Sequence, residues 1–162
     1  YIMTKNKNSR FKKSKIAIHN LIYFIKAQSA YFGLKDLQQL SVIRRMVSET
    51  QLPVKVVPCE TVRDESGMAL SSRNLLLSKD HYRDASIIFK TLDFVRKNIK
   101  KSTREEILRQ AVELFNSGSL KLEYLEIINQ DSFAPYKSGD TNGACCIAAY
   151  CNNVRLIDNV LF

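Results

Sequence analysis

Between Ser29 and Pro58 the chain reads strand, helix, strand, and that succession leaves few topologies open. Ser29-Ala30-Tyr31-Phe32 followed by Gly33 has the length and composition of a short buried strand ending in a turn. From Lys35 to Glu49 the apolar residues Leu37, Leu40, Ile43, Met46 and Val47 recur every three or four positions, the period of an amphipathic helix. Asp36 falls in the first turn of that helix, where a negative charge complements the helix dipole. Pro53 then opens a β-branched run, Val54, Val56 and Val57, closed by Pro58. Strands joined through a helix run parallel, with a right-handed crossover, because antiparallel neighbours need only a short turn. An α/β unit with a parallel sheet follows, and ligands of such sheets gather at the carboxyl ends of the strands.

The flanks read differently. Residues 1–9 are polar and read as a disordered or expression-derived leader. Residues 11–26 carry Ile16, Ile18, Leu21, Ile22 and Ile25 in an imperfect helical stripe. Thr61 to Leu77 has no period and reads as a loop of functional length. Lys79 to Lys100 reads as one helix with Ser78 as N-cap and Asp80 in its first turn. Thr103 to Asn116 reads as the next, with Ser102 and Glu105 at capping-box spacing and Gly118 as the stop. Strands are predicted over Leu122–Ile128, Ala144–Cys151 and Val154–Val160, the last two joined by a hairpin turn at Asn152–Asn153. The organisation is thus a leader (1–9), a partial α/β domain (10–75) and a small α+β domain with an antiparallel sheet (76–162).

Charge and cysteine content narrow the function classes. The net charge is +9, but Lys5, Lys7, Arg10, Lys12, Lys13, Lys15 and Lys26 supply most of it, with no acid among residues 1–28. The rest of the chain is nearly balanced, and a solvated basic helix face is the commoner meaning of such a stretch. Binding of nucleic acid or of an acidic partner through residues 5–26 is the alternative, without an aromatic stacking pattern or groove-reading motif to support it. The apolar run Ile16–Ile25, interrupted by His19 and Asn20, is far short of the roughly 20 residues of a membrane helix. Cys59, Cys145, Cys146 and Cys151 form no CxxC pair and have no histidine at metal-ligand spacing, so they read as buried small side chains of a cytoplasmic protein, with no metal site.

Two segments could carry chemistry. Gly33-Leu34-Lys35-Asp36-Leu37-Gln38-Gln39 sits at a strand end and a helix start. Gly33 permits close backbone approach, the helix N-terminus attracts anions, and Lys35 adds a positive charge suited to phosphate. Asp36 and Gln39 lie one turn apart, on one face. Leu70-Ser71-Ser72-Arg73-Asn74 groups two hydroxyls with a guanidinium, a donor set for phosphate oxygens. Taken singly, the first also fits an ordinary helix start and the second an ordinary serine-rich turn.

Taken with their flanks, these segments resemble the pantothenate synthetase (pantoate–beta-alanine ligase) family of the nucleotidyltransferase superfamily. The resemblance runs through AYFGLKDLQQL at 30–40, LPVKVVPCETVRDESGMALSSRN at 52–74, LEYLEI at 122–127 and VRLIDN at 154–159, from Ile16 onward. It implies an incomplete Rossmann-like (HUP-type) parallel unit followed by the α+β domain. It also implies ATP-dependent joining of pantoate to beta-alanine through a pantoyl adenylate, with Mg²⁺ arriving on ATP. By resemblance, Lys35 would contact ATP phosphates, Gly33 and Asp36 the ribose, and Val62 the adenine through its backbone. Gln39 would bind pantoate. Ser71, Ser72 and Arg73 would close on the phosphates as the KMSKS loop does in related synthetases, and Leu70 would also contact ATP. Lys35, Ser71, Ser72 and Arg73 are the catalytic candidates.

The family's HxGH-type motif, whose histidines stabilise adenylation, has no counterpart around His19 or His81. Arg10-Phe11-Lys12-Lys13-Ser14 stands where the family has an HFxGV-like run. The chain is therefore read as the C-terminal part of such a ligase, expected to be poorly active alone. The full-length family is expected to be a homodimer.

Overall fold

The computed structural model describes residues 9–162, with side chains from Ile16 onward. The leader expected at 1–9 thus lies, apart from Ser9, outside the described residues. The chain divides into two compact units, one ending at Thr61 and the other spanning Val62–Phe162.

The first unit holds helix α1 (Ser9–Ile25), strand β1 (Ser29–Gly33), helix α2 (Leu37–Thr50) and strand β2 (Lys55–Cys59). β1 and β2 pair in parallel, Ser29 opposite Lys55 and Gly33 opposite Cys59, as the strand–helix–strand pattern requires. Ile22 of α1 meets Ile43 and Met46 of α2, and Ala30, Phe32 and Val56 of the strands close around them. Each helix thus buries one stripe, leaving Leu21, Tyr23, Phe24 and Ile25 of α1 exposed. Two details depart from the sequence reading. The helix expected from Lys35 starts as a 3₁₀ turn, Leu34–Asp36, and becomes α-helical only at Leu37, so Asp36 is the N-cap rather than a first-turn residue. Pro58 lies inside β2, opposite Phe32, instead of ending the strand. A strand with only one partner can hold a proline, whose missing N–H then faces away from the ladder.

In the second unit, helices α3 (Lys79–Asp84), α4 (Ser86–Asn98) and α5 (Arg104–Asn116) precede the strands β3 (Lys121–Asn129), β4 (Gly143–Cys151) and β5 (Val154–Leu161). The sheet is antiparallel in the order β3-β4-β5. The core joins Ile88, Leu92 and Val95 of α4 and Ile107, Ala111 and Phe115 of α5 to Ile127, Cys145, Ile147, Leu156 and Val160 of the sheet. The Asn152–Asn153 turn is present, with Asn152 left-handed at φ 50°.

The single helix expected over Lys79–Lys100 is two. It breaks at Ala85, which is fully buried and has ψ −16°, nearer 3₁₀ than α geometry. The Ile88 N–H accordingly bonds the Ala85 carbonyl three residues back. The cap of α5 is Thr103, one residue later than the Ser102–Glu105 spacing suggests; its hydroxyl accepts from the Glu106 N–H. The Glu106 carboxylate is taken by Arg109 and Gln110.

The cysteines are reduced, and Cys145, Cys146 and Cys151 are buried. Burial, aided by the charges of Asp158 and Glu126, pushes the Cys146 thiol up to about 12, so it stays protonated and unreactive. Among the described residues no helix is long and apolar enough to cross a membrane, and no three His, Cys, Asp or Glu side chains cluster as metal ligands.

Candidate active site

The candidate residues fall in two places, one in each unit. In the first unit, Gly33, Lys35, Asp36 and Gln39 follow one another where β1 ends and α2 begins, the edge at which open parallel sheets take ligands. Gly33 has φ −67° and ψ 133°, which any residue adopts, and a Cβ built on it would meet nothing within 4 Å. Neither backbone strain nor packing explains a glycine here; the space above it does allow a ligand to reach the main chain. Asp36 is exposed, and its side chain accepts no capping bond. Lys35 and Gln39 are half-buried. Beside Gln39, the buried amide nitrogen of Gln38 has no acceptor among the described residues, an open hydrogen-bonding capacity that periodicity could not reveal.

In the second unit the loop following Thr61 is far more ordered than its lack of period suggests. Arg63 and Ala69 form an antiparallel bridge, and the Leu70 N–H donates to the Val62 carbonyl at 2.9 Å. The turn between them is organised by Asp64. Its carboxylate accepts from the N–H groups of Ser66 and Met68, the Ser66 hydroxyl at 2.7 Å and the Tyr82 phenol at 2.5 Å. Burial alone would raise the Asp64 pKa, but these donors outweigh it and hold the carboxyl below its ordinary 3.8. Gly67 takes φ +83°, and a Cβ there would lie 2.0 Å from the Phe89 ring.

Arg63 ties this turn to the sheet. Its Nη1 donates to Asp158 Oδ2 at 2.6 Å and to the Gly67 carbonyl at 2.9 Å. Its Nη2 donates to Asp158 Oδ1 and to the Asn159 carbonyl, both at 3.0 Å. The guanidinium carbon sits 4.5 Å from the Phe89 ring centre, a cation–π contact on α4.

The donor segment follows directly. Ser71 precedes a 3₁₀ turn, Ser72–Leu76. Its hydroxyl donates to Asn74 Oδ1 at 2.8 Å, while the Asn74 amide donates to the Ala69 carbonyl at 3.1 Å. Arg73 is exposed and donates through Nη1 to the Arg155 carbonyl of β5 at 2.8 Å. Arg155 is itself paired with Glu123 of β3 at 2.6 Å. Ser72, Val62 and Leu70 are exposed.

A domain boundary near 75 would leave this segment with the parallel unit. Its hydrogen bonds run instead to Arg155, Asp158 and Asn159, and the compact unit they belong to begins at Val62.

A family model described as pantoate-beta-alanine ligase matches residues 2–161. The chain belongs to the pantoate–beta-alanine ligase family. The pantothenate synthetase of Caldicellulosiruptor saccharolyticus is 34% identical over 160 residues, covering 97% of this chain and 57% of that protein. That of Cytophaga hutchinsonii is 39% identical over 151 residues, covering 90% and 53%. Among solved structures, a pantothenate synthetase of Thermus thermophilus superposes with a TM-score of 0.87 at 34% identity, over 91% of this chain and 54% of that one. A Francisella tularensis pantoate-beta-alanine ligase crystallised with beta-gamma ATP and beta-alanine superposes at 0.68 with 27% identity, over 97% and 52%. The chain thus spans about half the length of these relatives. The parallel unit and the antiparallel α+β unit match about half of the fold of the Thermus thermophilus enzyme.

The family match begins at residue 2, ahead of Ile16, from which the resemblance is legible by eye. It takes in Arg10–Ser14 as well. The residues that sequence reasoning passed over are Arg63, Asp64, Gly67, Tyr82 and Asp158. Arg63 and Asp158 do lie inside the two motifs VRDESGMALSSRN and VRLIDN, but nothing local announces that they pair across 95 positions. The alternative reading, a nucleic-acid module at residues 5–26, rests largely on lysines whose side chains lie outside the described residues.

Proposed function

We propose that this chain serves the ATP-dependent ligation of pantoate and beta-alanine to pantothenate in the cytoplasm. The single observation that carries the proposal is the ligase-family match over residues 2–161, which includes both candidate segments. In the first step a pantoate carboxylate oxygen attacks the α-phosphorus of ATP and pyrophosphate leaves. In the second the amine of beta-alanine attacks the acyl carbon of the pantoyl adenylate, loses a proton, and AMP leaves. No enzyme-bound covalent intermediate is needed, so the protein's part is positioning and charge stabilisation.

Each candidate then has a physical role. Lys35, at a helix start, would neutralise phosphate oxygens. Gly33 would let the ribose lie against the main chain, with Asp36 accepting from its hydroxyls. Gln39 would hold pantoate. Val62 would present backbone groups to adenine, beside Leu70. Ser71, Ser72 and Arg73 would donate to the phosphates, and an Arg fork suits the charge that builds on them during transfer. Mg²⁺ would arrive on ATP and be held chiefly by the nucleotide, as is usual for this ion. Adenylation chemistry in the family also uses the HxGH histidines, so the chain alone is expected to bind Mg-ATP but to turn over slowly. A homodimer is proposed by family.

Calorimetric titration with Mg-ATP tests this reading. The wild-type chain should bind, and Lys35→Ala and Arg73→Ala should each weaken binding about tenfold, near 1.4 kcal/mol. No binding, or equal affinity in all three proteins, would remove the proposal. Robust pantoate-dependent ATP–pyrophosphate exchange by the chain alone would overturn the expectation of slow turnover.

A further inference from the structure

Arg63 lies eight positions before the Ser71–Arg73 donors, and most of its own hydrogen-bonding capacity is spent. All four terminal N–H groups of its fork are used: two on the Asp158 carboxylate, one on the Gly67 carbonyl and one on the Asn159 carbonyl. Its side chain keeps 20% of its surface, and that of Asp158 only 3%. A guanidinium so committed is poorly placed to grip a substrate. What it does reach is informative. Through one planar group it joins the start of the loop, the tip of its turn at Gly67, strand β5 and the Phe89 ring of α4.

The other end of the same loop returns to the same strand. Arg73 donates to the Arg155 carbonyl, three residues before Asp158 on β5. Between the two attachments, the Leu70 N–H closes on Val62 and the Asn74 amide on Ala69. β5 thus acts as a rail that carries both ends of the 63–73 loop.

We propose that Arg63, with Asp158, is a positioning residue for the donor segment Ser71–Arg73. Its fork fixes the near end of the loop on β5, so the two hydroxyls and the guanidinium are presented in one arrangement instead of being ordered by each incoming nucleotide. Lysine cannot substitute, because a single ammonium cannot span two carboxylate oxygens and two carbonyls in one plane. This inference rests on the proposed role of Ser71–Arg73 for its functional half, and on the geometry alone for its structural half.

A buried ion pair exchanged for well-packed apolar side chains often leaves stability unchanged, and that separates positioning from mere cohesion. The experiment compares wild-type chain with R63M/D158L and R63K by thermal melting, amide hydrogen exchange and Mg-ATP titration. Met can lie on the Phe89 ring where the guanidinium was. The double variant is expected to melt near the wild type, yet to lose at least tenfold protection at the Leu70 and Met68 amides and at least tenfold Mg-ATP affinity. R63K, which keeps the charge and tests the same point should the double variant melt early, is expected to show the same two losses in smaller measure. Wild-type protection at those amides in both variants overturns the proposal, whatever their affinity. Lost protection with unchanged Mg-ATP affinity overturns its functional half. A wild-type chain that does not bind Mg-ATP at all would sink the proposed function instead, leaving the exchange data to decide whether Arg63 orders the loop.

Discussion

The two candidate segments are built on opposite plans. Gly33–Gln39 is made by neighbours in sequence: a strand ends, a 3₁₀ turn follows, and a helix begins. Residues 62–74 contain no helix beyond a 3₁₀ turn and no named strand, yet they are held by groups far away in sequence. Arg63 reaches Asp158, Asp64 takes the Tyr82 phenol, and Arg73 reaches Arg155. The first segment gets its geometry from regular backbone, which leaves Gly33 with space above it and Asp36 capping nothing. The second gets its geometry from side chains, and many of its polar groups are spent holding the loop. Substitutions in the two segments should therefore fail differently, by lost function with intact fold in the first and by lost order in the second.

The sharpest break is expected at Asp158. Asp158→Ala leaves Arg63 facing an empty acceptor site deep in the second unit, and orphaning one partner of a buried pair costs roughly 3–5 kcal/mol. The lower end applies, since Arg63 keeps some contact with water. Chemical denaturation followed by circular dichroism measures it; a loss below about 1 kcal/mol would equate the pair with an ordinary surface bridge. Gly67→Ala comes next. A left-handed φ costs a side chain about 1–2 kcal/mol, and the Phe89 ring must move to admit the new methyl. A total of about 2–4 kcal/mol is expected, against a negligible change for alanine at the exposed Ser72.

The same contrast governs what could be read from sequence. The period of Leu37, Leu40, Ile43 and Met46 announces α2, and all four are buried as it implies. The Asn152–Asn153 turn and the strands beside it are likewise local signals. The break at Ala85 is not legible, because alanine is the best helix former and nothing in the local sequence marks the change in backbone geometry there. The Thr103 cap was misplaced by one residue because Ser102–Glu105 and Thr103–Glu106 satisfy the same pattern. At the candidate site, motif resemblance picked out Ser71 and Arg73, but not Arg63 or Tyr82. Their role depends on pairing with Asp158 and Asp64 over long separations, which one sequence does not encode in any spacing.

Tyr82→Phe is a milder probe of the loop, worth about 1 kcal/mol at neutral pH for one hydrogen bond to a charged group near the surface. Its pH dependence carries a sign. The Asp64 carboxyl is depressed in the folded chain, so the stability it contributes is present above its ordinary 3.8 and is lost as pH falls through the lower folded value. The Tyr82 phenol is raised, chiefly by that same bond, so its share is complete below its ordinary 10.0 and is lost as pH rises through the higher folded value. The gap in stability between wild type and Tyr82→Phe should therefore be widest between these limits and shrink on either side. A gap that stays constant from pH 3 to 7 would mean that the bond does not depend on the Asp64 charge.

The smallest effect on stability is expected at Gly33, and it is the most telling one. Alanine there meets no neighbour and needs no unusual φ, while it restricts the unfolded chain. Gly33→Ala should be neutral or stabilising, by up to about 1 kcal/mol. If the open space above Gly33 is where a nucleotide lies against the backbone, the same methyl must stand in its way, and Mg-ATP affinity should fall about tenfold or more while the melting temperature holds or rises. Substitutions at Arg63, Asp64 or Gly67 cannot give that pattern, because they disturb the contacts that fold the loop. An unchanged affinity in Gly33→Ala would move the nucleotide away from the end of β1 and leave Lys35 to be explained as part of an ordinary helix start.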